Sequence, residues 1–268
     1  MKRVSRVLGV FLCLVILLST GTFAAGGKTI DTSTASEGFF TVEYAASESL
    51  KMKVGITFKG ETTYHNYYPN TECTYTFDEG NGSYLIELYR NVYGTKYKRV
   101  TSTRVNVKIE DKMAPYCAST SEINFAENPA VVAKAAELCE GLDTVDEKII
   151  AMHNYMAKNF RYDYKFAAAV RSGAVTNYTP DTAVTLTTKR GVCYDFSALF
   201  AAMCRSQGIP CAMAKGYSGD YYHAWNMVWV DGEWIAVDMT NSVARRNFRA
   251  DELSECTVSL DNYHDYTY

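Results

Sequence analysis

Gly191-Val192-Cys193-Tyr194-Asp195-Phe196-Ser197-Ala198-Leu199-Phe200, running on through Met203 to Gly208-Ile209-Pro210, is the stretch on which the fold turns. Phe196, Leu199, Phe200 and Met203 recur at helical spacing and mark one apolar face, while Gly208 and Pro210 supply a stop. Cys193 therefore falls in the first turn of a helix, where the partial positive charge of the free N–H groups favours thiolate over thiol. Lys189 and Arg190, just upstream, push the same way. A small buried apolar side chain is the alternative reading of Cys193.

A nucleophilic thiol needs a base, and the histidines are His65, His153, His223 and His264. His223 lies in the β-prone run Tyr222-His223-Ala224-Trp225-Asn226-Met227-Val228-Trp229-Val230. Asp231-Gly232 follows, a two-residue hairpin signal, and Glu233-Trp234-Ile235-Ala236-Val237-Asp238-Met239-Thr240 returns as the partner strand. A two-residue loop sets Val230 opposite Glu233, hence Trp225 opposite Asp238 and His223 opposite Thr240. These four share one face, and the diagonal from His223 to Asp238 is roughly 7–8 Å, within side-chain reach. Asn226 falls on the other face and reads as structural. The expected site is a catalytic triad: Cys193 as nucleophile, His223 as base and proton donor, Asp238 as orienting carboxylate. The backbone N–H of Cys193 is an expected oxyanion donor.

The order and spacing of these residues resemble the core of the transglutaminase-like superfamily, with Cys193 in its G-x-C, His223 in its H-A-W and Asp238 in its W-x-x-x-D. The resemblance covers about residues 129–240 and takes in the aromatic segment Asn159-Phe160-Arg161-Tyr162-Asp163-Tyr164. It implies an α+β fold with a papain-like core, the nucleophile helix packed against an antiparallel sheet. It also implies an upstream side-chain oxyanion donor, for which Tyr162 and Tyr164 are the candidates, each with a core-aromatic alternative.

Upstream, Pro129 to Glu140 reads as an Ala-rich helix stopped at Gly141, and Thr144-Val145-Asp146-Glu147 is a capping box opening the next. His153 on that second helix reads as a core-edge or surface residue. From Thr29 to about Asp111 the pattern is different. Val42-Glu43-Tyr44, Met52–Phe58, Tyr84–Tyr89 and Arg104–Ile109 have strand composition, separated by Lys59-Gly60, Glu79-Gly80-Asn81-Gly82 and Tyr93-Gly94. That is a small all-β sandwich, Ig-like, ahead of the catalytic core. The leading sandwich resembles arrangements in secreted bacterial members of the superfamily. His65, set among Tyr64, Tyr67 and Tyr68, reads as packed strand aromatics or as an aromatic ligand site.

Residues 1–25, MKRVSRVLGVFLCLVILLSTGTFAA, carry Lys2, Arg3 and Arg6, then an apolar stretch from Val7 to Leu18, then small residues. This is the pattern of a signal peptide, too short for an ordinary membrane span, and it predicts export to the outside or surface of the cell. The expected domains are 1–25 signal peptide, 27–113 sandwich and 125–268 catalytic. Seven cysteines follow Cys13, an odd number, so at least one thiol is left over, and no C-x-x-C points to zinc or disulfide exchange. The tail Asp261–Tyr268, polar and aromatic, is expected to fray.

With 268 residues, 47% hydrophobic and 21% charged, the chain is neither a disordered nor a fibrous protein. A net charge of −3, or −6 once Lys2, Arg3 and Arg6 are gone, argues against nucleic acid as a partner. The basic cluster Arg245-Arg246-Asn247-Phe248-Arg249 reads as a solvated turn. No cofactor is expected: there is no P-loop, no dinucleotide fingerprint, no metal set and no calcium loop. The expected function is a secreted cysteine-dependent acyl transferase or hydrolase acting on peptide, protein or cell-wall amides, either a peptidase or a crosslinking enzyme. The competing reading is a catalytically silent domain serving as a surface-binding module.

Overall fold

A computed structural model describes residues 29–245 and 248–268. The expected signal peptide lies outside the described residues, as do Arg246 and Asn247 of the basic cluster. The first part is built from β1 (Ile30–Asp31), β2 (Phe39–Val42), β3 (Met52–Phe58), β4 (Glu61–Tyr67), β5 (Cys73–Thr76), β6 (Gly82–Tyr93) and β7 (Lys96–Val107). They form a three-stranded sheet, β1-β2-β5, and a four-stranded sheet, β4-β3-β6-β7.

Alternation explains how the two sheets share a core. Met52, Val54, Ile56 and Phe58 of β3 and Tyr84, Ile86 and Leu88 of β6 turn one face inward, against Phe40 and Val42 of β2 and Tyr75 of β5. Lys59-Gly60 takes positive φ at both positions, the mirror-image turn that suits a tight β3–β4 hairpin. Two expected strands have different limits. The one set at Val42-Glu43-Tyr44 ends at Val42, and the one set at Arg104–Ile109 is the end of the long β7, which stops at Val107. β4 and β5 were not legible, because their polar and aromatic residues alternate poorly.

The second part holds α1 (Pro129–Cys139), α2 (Val145–Asn159), β8 (Arg161–Tyr162), α3 (Tyr164–Arg171), α4 (Thr182–Thr188), β9 (Arg190–Gly191) and α5 (Cys193–Ser206). It continues with β10 (Cys211–Ser218), β11 (Tyr221–Val230), β12 (Glu233–Val237), α6 (Met239–Ala244), α7 (Leu253–Cys256) and β13 (Tyr263–Thr267). The Thr144 capping box forms as its sequence predicts, Thr144 Oγ1 accepting from Glu147 N and Glu147 reaching back to Thr144 N. The architecture is α+β, with α5 laid on an antiparallel sheet ordered β12-β11-β10-β13. Phe196, Leu199, Phe200 and Met203 of α5 are fully buried and share a core with Met213, Val228 and Val230 of that sheet. Cutting Phe200 back to Ala would cost ~3–5 kcal/mol on this packing.

Three expectations are corrected. The tail does not fray: Tyr263–Thr267 becomes β13 and pairs with β10, Ser218 opposite Tyr263 and Lys215 opposite Thr267. What holds it is the aromatic cover it gives the sheet, Tyr266 against Trp225 and Tyr268 against Trp234. His153 is not at the core edge but wholly buried, its Nε2 2.7 Å from Ser242 Oγ. Burial lowers it to about 4, so it sits neutral. The return strand also stops short. Val230 faces Glu233 as expected, but β12 ends at Val237 opposite Asn226, so neither Trp225 nor His223 has a partner on it, and His223 pairs on its other side with Gly216 of β10.

Candidate active site

Asp238 explains that early stop. Its Oδ1 accepts from Thr240 N (2.9 Å) and Asn241 N (3.3 Å), which makes it the N-cap of α6 and turns the chain out of the sheet. The carboxylate reaches His223 from a helix cap, not from a strand position. Its Oδ2 lies 2.8 Å from His223 Nε2, with the Asp238 side chain 1% exposed and that of His223 13%.

Cys193 is the first helical residue of α5, with Val192 as N-cap. Asp195 Oδ2 accepts from Val192 N at 2.8 Å, closing the first turn. Gly191 permits this: a Cβ there would lie 2.6 Å from Asp195 Cβ, so the glycine two residues before the thiol is required by close approach. The hairpin that carries His223 turns at Asp231-Gly232, both at positive φ.

The imidazole engages Asp238 through Nε2, which leaves Nδ1 to face the thiol. Burial works against the imidazolium, but hydrogen bonds with Asp238 and Cys193, and the charge of both, outweigh it and raise His223 to about 10. Burial likewise opposes the Asp238 carboxylate, yet His223, Tyr263 and the Asn241 N–H together hold it below the ordinary range. These groups favour the imidazolium form of His223 beside the Cys193 side chain.

The two tyrosines separate. β8 runs parallel to β9 and sets Tyr162 in register with Gly191, two residues before Cys193, and Tyr162 is half-buried. Burial, then the negative charge of Cys193, raise its phenol to about 12, so it is a hydroxyl donor at neutral pH. Tyr164 opens α3 and is 72% exposed, its ring 5.0 Å from that of Tyr162. Asn226 is structural as expected: fully buried, its Nδ2 donates to Ser197 O on α5 and Ala212 O on β10. Among the described residues Cys73, Cys117, Cys139, Cys193, Cys204, Cys211 and Cys256 are free thiols, and no group of three or more His, Cys, Asp or Glu could hold a metal ion. No helix among the described residues is long and apolar enough to cross a membrane.

Sequence reasoning missed what surrounds these residues. Tyr263 donates to Asp238 Oδ2 at 2.7 Å. Tyr178 donates to Asp195 Oδ1, and its loop is held by the sandwich: Asn66 Nδ2 donates to Tyr178 O (3.0 Å) and Tyr68 OH to Thr179 Oγ1 (3.0 Å). Glu122 is gripped between His65 Nδ1 (3.3 Å) and Lys215 Nζ (2.5 Å), and Lys215 lies over the ring of Tyr194, beside Cys193. His65 is thus part of a charged joint between the β-rich part and the helical part. A cavity of about 260 Å³ opens at that joint, lined by His65, Glu122, Lys215 and Tyr222 but by neither Cys193 nor His223. No sequence signal marks such contacts, since their partners lie from 17 to 112 residues apart and on different elements.

The cysteine comes from a helix start, the histidine from a strand and the aspartate from a helix cap, all within the α+β part of the chain. Residues 132–239 match the family model described as the transglutaminase-like superfamily, so the chain carries a transglutaminase-like domain. Such domains are typically cysteine-dependent. The chain is similar to the kyphoscoliosis peptidases of Mus musculus and Homo sapiens, each 36% identical over 67 residues. That match takes in 20% of this chain and 10% of each relative, so it spans about a tenth of their length. It is also similar to the solved periplasmic domain of TgpA from Pseudomonas aeruginosa, with 15% identity, a TM-score of 0.38, and coverage of 82% of this chain and 98% of that one.

Proposed function

We propose that the protein is an exported cysteine-dependent enzyme that transfers acyl groups from peptide or protein amides, with Cys193, His223 and Asp238 as its triad. The observation that carries this is the 2.8 Å contact between His223 Nε2 and a buried Asp238, which fixes the imidazole with Nδ1 toward a helix-start cysteine. Export rests on residues 1–25, whose removal would leave a sandwich at 27–113 and a catalytic domain at 125–268.

In the first step the Cys193 thiolate adds to the carbonyl carbon. The negative charge on oxygen is met by the Cys193 N–H, a first-turn donor without an intrahelical acceptor, and by the Tyr162 hydroxyl. The C–N bond then breaks as the His223 imidazolium gives its proton to the leaving amine, forming a thioester. Neutral His223 next takes a proton from the acceptor as it attacks. Water as acceptor releases an acid, and an amine gives a new amide; Cys193 is regenerated in either case. Peptide or cell-wall amides are the substrates expected outside the cell.

The test is the pH dependence of iodoacetamide labelling at Cys193, read by peptide mass spectrometry, in wild type and His223→Ala. Rapid labelling well below pH ~8.5 that is lost in the variant is the expected result. Labelling that rises only near the ordinary thiol value and ignores the variant would overturn it, leaving a silent binding module as the better description.

A further inference from the structure

Tyr263 stands on β13, the last strand of the sheet, 25 residues beyond Asp238. Its hydroxyl donates at 2.7 Å to Asp238 Oδ2, the same oxygen that faces His223 Nε2. The other oxygen is taken by the Thr240 and Asn241 N–H groups. The carboxylate thus has four donors around it, filling the lone-pair sites of both oxygens.

The phenol is itself held from three sides. Asn241 Nδ2 donates to the Tyr263 oxygen at 3.2 Å, which occupies a lone pair there and aims the phenolic proton at Asp238. The ring packs edge-on against Trp225 at 4.7 Å between centroids, and lies 6.3 Å from the imidazole of His223. Pairing of Tyr263 with Ser218 fixes the backbone. Burial, then the charge of Asp238, push the phenol well above its ordinary value, so it remains a donor throughout the neutral range.

We propose that Tyr263 is a positioning residue for the triad: through its fixed hydroxyl it draws part of the Asp238 charge away from His223 and so sets how tightly the imidazolium holds its proton. This rests on the triad reading above. A donor shared on Oδ2 lowers the basicity of that oxygen, and a less basic partner stabilises the imidazolium less. The two backbone donors on Oδ1 keep the carboxylate oriented without Tyr263, so its removal acts on charge before geometry. An imidazolium held too tightly is a poorer acid toward a leaving amine, and the phenol keeps it from that extreme.

The experiment follows the ring-nitrogen NMR titration of His223 in purified wild-type protein, Tyr263→Phe and Asn241→Ala, with the resonance assigned by its loss in His223→Ala. The expected result is an upward displacement of the His223 titration by several tenths of a pH unit in Tyr263→Phe, and a smaller one in the same direction in Asn241→Ala. A lowered unfolding midpoint with an unmoved or downward-moved titration would overturn the proposal, since a packing role alone would give that. If Tyr263→Phe fails to fold, Asn241→Ala decides by the same criterion. Failure of the triad reading is distinct: wild-type His223 would then titrate at its ordinary value and be indifferent to Cys193→Ala.

Discussion

Tyr178 donates its hydroxyl to Asp195, two residues beyond Cys193, from a loop that the sandwich holds by Asn66 and Tyr68. The first turn of α5 is therefore anchored through a residue the sandwich positions. Burial raises the Asp195 carboxyl above its usual range, and Tyr178 and the Val192 N–H pull it back. Tyr178→Phe removes the stronger-placed of these donors. Loss of a hydrogen bond to a charged group predicts a stability decrease of about 1.5–3 kcal/mol by urea unfolding. Because an acid with a raised folded value is stabilised by protonation, the defect should shrink as pH falls. Cys193 labelling should slow in parallel.

Asp238→Asn keeps an oxygen for the α6 cap and removes the charge beside His223. The imidazolium should fall back from about 10 toward its ordinary value. Turnover should drop by about 10²–10⁴, as expected when the base is left in the wrong tautomer. His223, raised in the fold, contributes stability that is complete below about 6.5 and lost as pH rises toward 10. Asp238, lowered in the fold, contributes stability that is lost as pH falls through its own value. The wild-type advantage over this variant should therefore peak between those limits, which thermal melts across pH would show.

Tyr162→Phe should lower turnover of a chromogenic amide or ester by about 10²–10³ while leaving the alkylation rate of Cys193 unchanged, because alkylation builds no oxyanion. Tyr164→Phe should leave both unchanged, its ring being exposed at the start of α3. Equal losses in turnover and alkylation in Tyr162→Phe would assign it to the thiolate and not to the oxyanion.

Lys215→Met leaves Glu122, 15% exposed, with His65 Nδ1, 3.3 Å away, as its remaining side-chain partner. Burial opposes the Glu122 carboxylate, and Lys215 followed by His65 holds it far below its usual range. Breaking a largely buried pair predicts a loss of ~3–5 kcal/mol at neutral pH. Since a carboxylate lowered in the fold stabilises only above its unfolded value, the deficit should diminish as acid protonates Glu122 in the variant. Urea unfolding at pH ~7 and ~4 is the comparison.

What the sequence disclosed was chemistry decided within a few residues. The Thr144 capping box, the Asp231-Gly232 turn and the helix opening at Cys193 are local events, and each was legible. His223 and Asp238 were placed together for a partly mistaken reason, since the side chains meet where a strand ends in a cap and not across a continued ladder. The tail was misread because nothing in Asp261–Tyr268 announces a strand. Its docking depends on the cover needed by Trp225 and Trp234, and on Gly216, where a Cβ would lie 2.5 Å from Tyr266 Cβ. The Glu122 joint was equally hidden, as each partner is ordinary where it stands in the sequence.

Asp238 ends a strand, caps a helix and faces the imidazole with one side chain. Selection for the fold alone would retain it, so a copy of this domain without catalysis would keep this aspartate. Cys193 has no such second duty: as first residue of α5 its thiol caps nothing, and serine or alanine would serve the helix as well. Among diverging copies of this domain, under the proposed triad, the cysteine is the residue whose survival would record continued chemistry, and the aspartate would record only that the protein still folds.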